Sequence, residues 1–192
     1  MEKDMTSGSP LKLIFWFSIP VLLGNIFQQF YNMVDSIVVG NYVGKNELAA
    51  VGMTSSLTFF YFALCNGFAT GAGVLMSQYF GMKNEKRVKD ALGNSIYLML
   101  GMGILVSIIS VLLAEPTLRL LNTPESIFDD ALLYTRIVCG GVLAVVLYNG
   151  ISAMLRALGD SVTPLIFLII ASILNVIGDL LFVLVFHMGV AG

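Results

Sequence analysis

Two aspartates, Asp35 and Asp179, lie inside long apolar runs, in Asn32-Met-Val-Asp35-Ser-Ile-Val-Val-Gly40 and Leu174-Asn175-Val-Ile-Gly-Asp179. A carboxylate held in hydrocarbon costs roughly 2.5–3.5 kcal/mol on insertion scales, so a membrane segment rarely keeps one without use. Only an ionisable group exchanges a charge, which makes both acids candidates for ion binding or proton relay. Each has polar company at helical spacing. Asn25, Gln28, Asn32 and Asp35 follow one another at intervals of three, four and three, one continuous stripe on a helix. Asn175 lies four before Asp179 on the same face, with Ser172 three before that on roughly the same side. A stripe of this kind must face other helices or a water-filled cavity rather than lipid. The competing reading is a structural hydrogen bond from each acid to a neighbouring helix.

The elements that must position these residues are membrane helices. The chain has 192 residues, 57% hydrophobic and 11% charged, against about 45–50% and about 25% for soluble domains. Five apolar segments, roughly 11–39, 48–78, 91–114, 130–156 and 164–186, each exceed the ~20 residues a spanning helix needs. A sixth is expected to begin at Gly189-Val-Ala-Gly192. The fold class is therefore all-α and polytopic: a helical bundle of five spans plus the start of a sixth, over residues 1–192. Lipid leaves backbone groups no partner outside the helix itself.

Local signals punctuate these spans. Thr123-Pro124 and Thr163-Pro164 read as N-cap hydroxyls before first-turn prolines, and Gly40-Asn41 and Gly81 as helix ends. Asp160 reads as a loop or capping acid. Pro20 should kink the first span. Gly67 and Gly71, four apart, fit close helix packing, with a flexible joint as the alternative. Thr54, Ser55, Ser56 and Thr58 are expected to bond to their own backbone. Tyr148 and Asn149 in the fourth span line a cavity or pack, and Tyr134 is an interface aromatic or a cavity residue.

Charge sets the orientation. With the N-terminus in the cytoplasm, Lys3, Lys12, Lys83, Lys86, Arg87, Lys89 and Arg156 fall inside, against Lys45, Arg119 and Arg136 outside. Seven against three satisfies the positive-inside rule. Both acids then occupy the outer half of the membrane, at about 7 and about 12 Å from its boundary. Net charge of -2 argues against nucleic acid as a partner. Cys65 and Cys139 read as small buried hydrophobes, and no spacing of His, Cys and acids predicts a metal centre or cofactor. The polar, mixed-charge N-terminus lacks the layout of a signal peptide and is read as retained.

At these residues the chain resembles the multidrug and toxic compound extrusion (MATE) transporters. The resemblance is carried by Pro20-Val-Leu-Leu-Gly24-Asn25-Ile-Phe-Gln28-Gln29 with Tyr31-Asn32-Met-Val-Asp35. Leu48-Ala-Ala-Val-Gly52, Gly81-Met-Lys-Asn-Glu-Lys86, Arg156-Ala-Leu-Gly-Asp160 with Pro164, and Asn175-Val-Ile-Gly-Asp179 extend it, in order, over nearly the whole length. It implies a secondary antiporter of the plasma (inner) membrane. Such a protein exports drugs and cationic amphiphiles against inward sodium or proton flow, from a twelve-helix fold of two lobes. Here that implies an N-terminal lobe, its C-terminal lobe and the ligands drawn from a sixth helix missing. Asp179 would then be the leading coupling-ion carboxylate, Asn175 an oxygen ligand or orienting donor, with sodium possible at this pair, and Asp35 the second acid. Gln28, Asn32, Asn25, Asn149 and Tyr148 would line the substrate cavity.

Three other readings stand beside it. A lipid-linked saccharide flippase of the wider superfamily needs a basic cavity, and Arg136, near a span end, is the one weak candidate. An intramembrane aspartyl protease needs Gly-x-Gly-Asp, but Val176 occupies the first glycine position before Gly178-Asp179, so the chain is read as no enzyme. A non-transporting fragment is the third.

Overall fold

The computed structural model describes residues 8–191. The polar segment through Ser7, with Lys3, and the final Gly192 lie outside the described residues. The chain is helical almost throughout: α1 Pro10–Val38, α2 Lys45–Gly81, α3 Glu85–Leu120, α4 Glu125–Gly140, α5 Val142–Ala157 and α6 Val162–Asp179. Short π-helical segments follow α1 (Val39–Val43) and α6 (Leu180–Val185), and Gly189–Ala191 is a 3-10 turn. Four helical stretches are long and apolar enough to cross a membrane, and the α4–α5 pair makes a fifth when counted as one broken span. The chain is a multi-pass membrane protein.

The α2 and α3 helices extend beyond the apolar segments, and the turn between them is capped from both sides. Lys83 ends the α2 overhang in a left-handed conformation (φ 53°). There the Asn84 N–H donates to the Tyr79 carbonyl and the Lys83 N–H to the Phe80 carbonyl, which satisfies carbonyls the helix leaves unpaired. Asn84 then accepts from the Arg87 N–H at 3.1 Å and starts α3. Two expected caps work differently. The Thr123 hydroxyl donates back to the Leu118 carbonyl at 2.9 Å, closing α3 rather than opening α4. Thr163 lies inside α6, and the cap is Asp160, which accepts from the Val162 and Thr163 N–H groups and from the Thr163 hydroxyl at 2.6 Å. That hydroxyl, then the Thr163 N–H, hold the Asp160 carboxyl below its ordinary range. Gly159, at φ 87°, supplies the turn before it. Gly40-Asn41 does not end the first helix, which continues through its π-helical turn to Val43. Pro20 lies within α1, which runs through it unbroken.

The expected single span 130–156 is two helices bent by 44°. The break falls at Gly140-Gly141, and Ser107 of α3 donates to the carbonyls of Cys139 (2.9 Å) and Gly140 (3.3 Å). A side chain bonded into the carbonyl ladder at a glycine pair is a recognised cause of a kink.

Helices α2, α3, α4 and α5 pack together around an apolar core that includes Met76, Met99, Leu118, Val142 and Val146. Close approach occurs at Gly73, where a Cβ would stand 3.3 Å from the Ala153 carbonyl oxygen, and at Gly103 against Leu143. It does not occur at Gly67 and Gly71, where a Cβ would meet nothing within 4 Å. The packing expected there is corrected: these two glycines line an open furrow. Thr54, Ser55 and Thr58 do bond to carbonyls of their own helix. Helices α1 and α6 form a separate pair, packed along each other and joined to the rest mainly through their ends. At the end of the bundle where α3 meets α4, Glu115 pairs with Arg119 at 3.0 Å and Arg136 at 3.6 Å.

Candidate functional site

The first and last spans meet, and that contact brings the two acids together. Asp35 sits one turn before the π-helical segment that ends α1; Asp179 is the last residue of α6, immediately before the other one. The two π-helical segments also touch. Widened turns of this kind gather at functional sites, because the extra residue shifts side chains off the ordinary helical register. The carboxyl groups of Asp35 and Asp179 line the same cavity and stand close enough to act on each other electrostatically. Two ionised carboxylates at that range repel strongly, so one proton or one cation between them is the favourable arrangement.

Three oxygens mark the place: Asp35 Oδ1, Asn175 Oδ1 and Asp179 Oδ2 are buried and accept no hydrogen bond. Buried polar atoms are nearly always satisfied. Hard oxygen donors from two carboxylates and an amide carbonyl suit a proton or a hard cation such as sodium. Asp35 and Asp179 open on a cavity of about 540 Å3, lined also by Asn32, Ser55, Thr58 and Tyr134. Asn175, one turn before Asp179 on α6, is half-buried and is not among the residues that line this cavity. Ser172 does not join them: its hydroxyl donates to the Leu168 carbonyl at 2.8 Å.

The remaining candidates gather elsewhere. Asn25, Gln28, Tyr148 and Asn149 line a second cavity of about 260 Å3 with Pro20 and Arg156. The polar stripe of α1 is thus divided, its first half facing this cavity and its second half the acids. Gln28 donates to the Tyr31 hydroxyl at 3.4 Å. The Tyr148 hydroxyl donates to the Pro164 carbonyl at 3.4 Å and ties α5 to α6. Sequence reasoning missed Ser152 and Arg156 as cavity residues. The signal was present: they fall four and eight positions after Tyr148, on its face. Tyr134 lines the acid cavity.

The family model described as MatE matches residues 20–181. The probable multidrug resistance protein YpnP of Bacillus subtilis is 36% identical over 98% of this chain and 42% of its own length. Among solved structures, a MOP superfamily transporter from Pyrococcus furiosus superposes with a TM-score of 0.92 at 26% identity, covering 98% of this chain and 41% of that one. An outward-facing multidrug resistance MATE transporter gives 0.92 at 26%, with 98% and 42% covered. This chain therefore spans about two fifths of the length of the relatives it matches, consistent with one lobe of their fold. With its helix order, its paired acids and a family match over most of its residues, the chain belongs to the MATE family.

Proposed function

We propose that this chain is the N-terminal lobe of a cation-coupled exporter of drugs and organic cations in the cell membrane, its N-terminus cytoplasmic. Asp179, Asp35 and Asn175 hold the coupling ion, sodium or a proton. The observation that carries the reading is the meeting of two carboxyls across the α1–α6 contact, with Asn175 one turn before Asp179, each of the three with an unpartnered buried oxygen. The multidrug names of relatives support the substrate class. Asp179 is the exchangeable carboxylate, Asn175 supplies a carbonyl oxygen, and Asp35 shares the charge. The cavity beside the acids and the one at Asn25, Gln28, Tyr148 and Asn149 give an organic cation room within reach of carboxylate and amide oxygens. Exchange follows if the coupling ion and the drug favour opposite-facing states.

The test begins with the purified 192-residue chain. Sodium at constant ionic strength, or a proton uptake measured on acidification, should stabilise the wild type. Asp179→Asn should abolish the response while leaving the fold intact, and an unchanged response would remove the central claim. Expressed alone in a drug-sensitive host, the chain should give no dye efflux, because the family's substrate cavity lies between two lobes. Gradient-dependent efflux would instead point to paired copies of the lobe. Arg156 favours a second reading, the lipid-linked saccharide flippase, since a guanidinium in a polar cavity is suited to pyrophosphate. Tighter binding of a pyrophosphate-bearing polyprenol than of a cationic dye would select it.

A further inference from the structure

A further cavity lies away from both acids. It is a furrow of about 660 Å3 between α2 and α3. Its floor is apolar and runs along α2 from Leu64 to Tyr79, about 22 Å at 1.5 Å per residue. Half of a bilayer's hydrocarbon is about 15 Å thick, so the furrow accommodates an acyl chain through one leaflet. Gly67 and Gly71 keep it open: a side chain at either would meet no neighbour and would project into it.

One end of the furrow is polar, with Arg87, Asp90, Asn94 and Ser95 on a single face of α3. The Arg87 guanidinium stands 5.6 Å from the centre of the Tyr79 ring, which holds it over the mouth. The adjoining turn concentrates positive charge. Between Lys83 and Asp90 there are four basic residues (Lys83, Lys86, Arg87, Lys89) and two acidic ones (Glu85, Asp90), a local balance of +2. Basic residues beside a membrane surface attract anionic lipid by about 1 kcal/mol each.

We infer that this furrow binds one anionic phospholipid of the phosphatidylglycerol type, its phosphate on Arg87 and an acyl chain along Gly67 and Gly71. The surplus of basic residues selects a headgroup with net negative charge over a zwitterionic one. Asp90 and Asn94 select among anionic headgroups. A free hydroxyl donates to the Asp90 carboxylate, which would repel a second phosphate. Arginine is suited to the phosphodiester because its planar fork bonds two oxygens at once.

Native mass spectrometry of the purified chain, titrated in micelles with phosphatidylglycerol, phosphatidylethanolamine or phosphatidylcholine of identical acyl chains, tests the assignment. Phosphatidylglycerol should bind about fivefold more tightly than the other two, and the difference should shrink as salt rises. Arg87→Gln should erase that preference. Gly67→Leu with Gly71→Leu should weaken all three lipids, and the protein should remain folded because leucine favours helix and neither site contacts a neighbour. Lys45→Gln, at the other end of α2, should change nothing. Equal binding of the three lipids, or an Arg87→Gln variant that keeps the preference, would overturn the headgroup assignment. Unaltered binding to the double leucine variant would overturn the seat. Disulfide-linked dimers of a Gly71→Cys variant that exclude lipid would show the furrow to be a protein interface and overturn both.

Discussion

Thr54, Thr58, Ser110 and Thr135 are buried in the α2–α5 group, and each hydroxyl donates to a carbonyl three or four residues back in its own helix. Asp35, Asn175 and Asp179 belong to the α1–α6 pair, and each keeps a buried oxygen without a donor. The same contrast runs through the packing. Buried apolar residues crowd α2–α5, whereas α1 buries only Gly24 and Val38 and α6 only Pro164. Polar groups in the first region complete a rigid body. Those in the second are held ready for something that comes and goes. The proposed ion site would use both: a closely packed frame, and a pair of helices that buries few side chains of its own.

The contrast breaks most visibly at glycine. Gly73→Leu should separate α2 from α5, since the Ala153 backbone has no room to retreat. Overpacking of this kind costs about 3 kcal/mol, and the variant should lose most of its monodisperse peak in detergent size-exclusion chromatography. Gly67→Leu, two turns away, should run as the wild type. Comparable losses for both would mean that the frame is not tighter than its surface.

The acids should behave in the opposite sense. Replacing Asp35 or Asp179 by Asn removes one of two facing carboxyls and with it the cost of burying an unpartnered ionisable group, about 1–3 kcal/mol for an unsatisfied polar group and more where it is charged. Thermal midpoints in sodium-free buffer at neutral pH should therefore rise, while the sodium or proton response disappears. A fall in both midpoints would assign the acids to structure.

Much of this frame was legible in the sequence because hydrophobicity reports on lipid directly. The spans and the stripe from Asn25 to Asp35 needed only a count of intervals. What escaped depends on neighbours distant in sequence. The bend at Gly140-Gly141 requires Ser107, more than thirty positions earlier. The furrow at Gly67 and Gly71 is open because no neighbour stands within 4 Å of a side chain at either position, which no spacing reports. The division of the α1 stripe between two cavities follows from the helices that face it, α5 and α6 at Asn25 and Gln28, α2 and α4 at Asn32 and Asp35. Thr163 misled as a cap because Asp160, a stronger acceptor, sits three residues before it.

That joint between frame and pair has its own signature. Asp160 is buried and accepts three hydrogen bonds at the start of α6. Its folded-state carboxyl is held low, chiefly by the Thr163 hydroxyl and N–H. A depressed acid contributes stability above its unfolded titration range and loses it as pH falls through the folded one. Wild-type stability should therefore decline as pH drops below the ordinary carboxyl range. Asp160→Asn keeps one capping oxygen but loses the acceptor of the Thr163 hydroxyl, costing about 1 kcal/mol at neutral pH, and should flatten that part of the profile. A profile unchanged by the substitution would place the acid sensitivity elsewhere.

The smallest effect should come from Ser107, and it bears on how the frame shapes the site. The hydroxyl bridges the carbonyls of Cys139 and Gly140 at the bend between α4 and α5. Beyond that bend, α4 carries Tyr134, Ile137 and Val138 into the wall of the acid cavity. Hydrogen bonds between membrane helices average about 0.6 kcal/mol, so Ser107→Ala should lower stability by little more than that. Gly141→Ala alone should do the same or less, because glycine weakens a helix and alanine strengthens it. If the hydroxyl and the glycine pair hold one bend together, the double variant should depart from the sum of the two. The wall would straighten, and the sodium or proton response at Asp35 and Asp179 should weaken although neither acid was changed. Strict additivity with an unaltered ion response would mean that the frame merely supports the pair without setting its geometry.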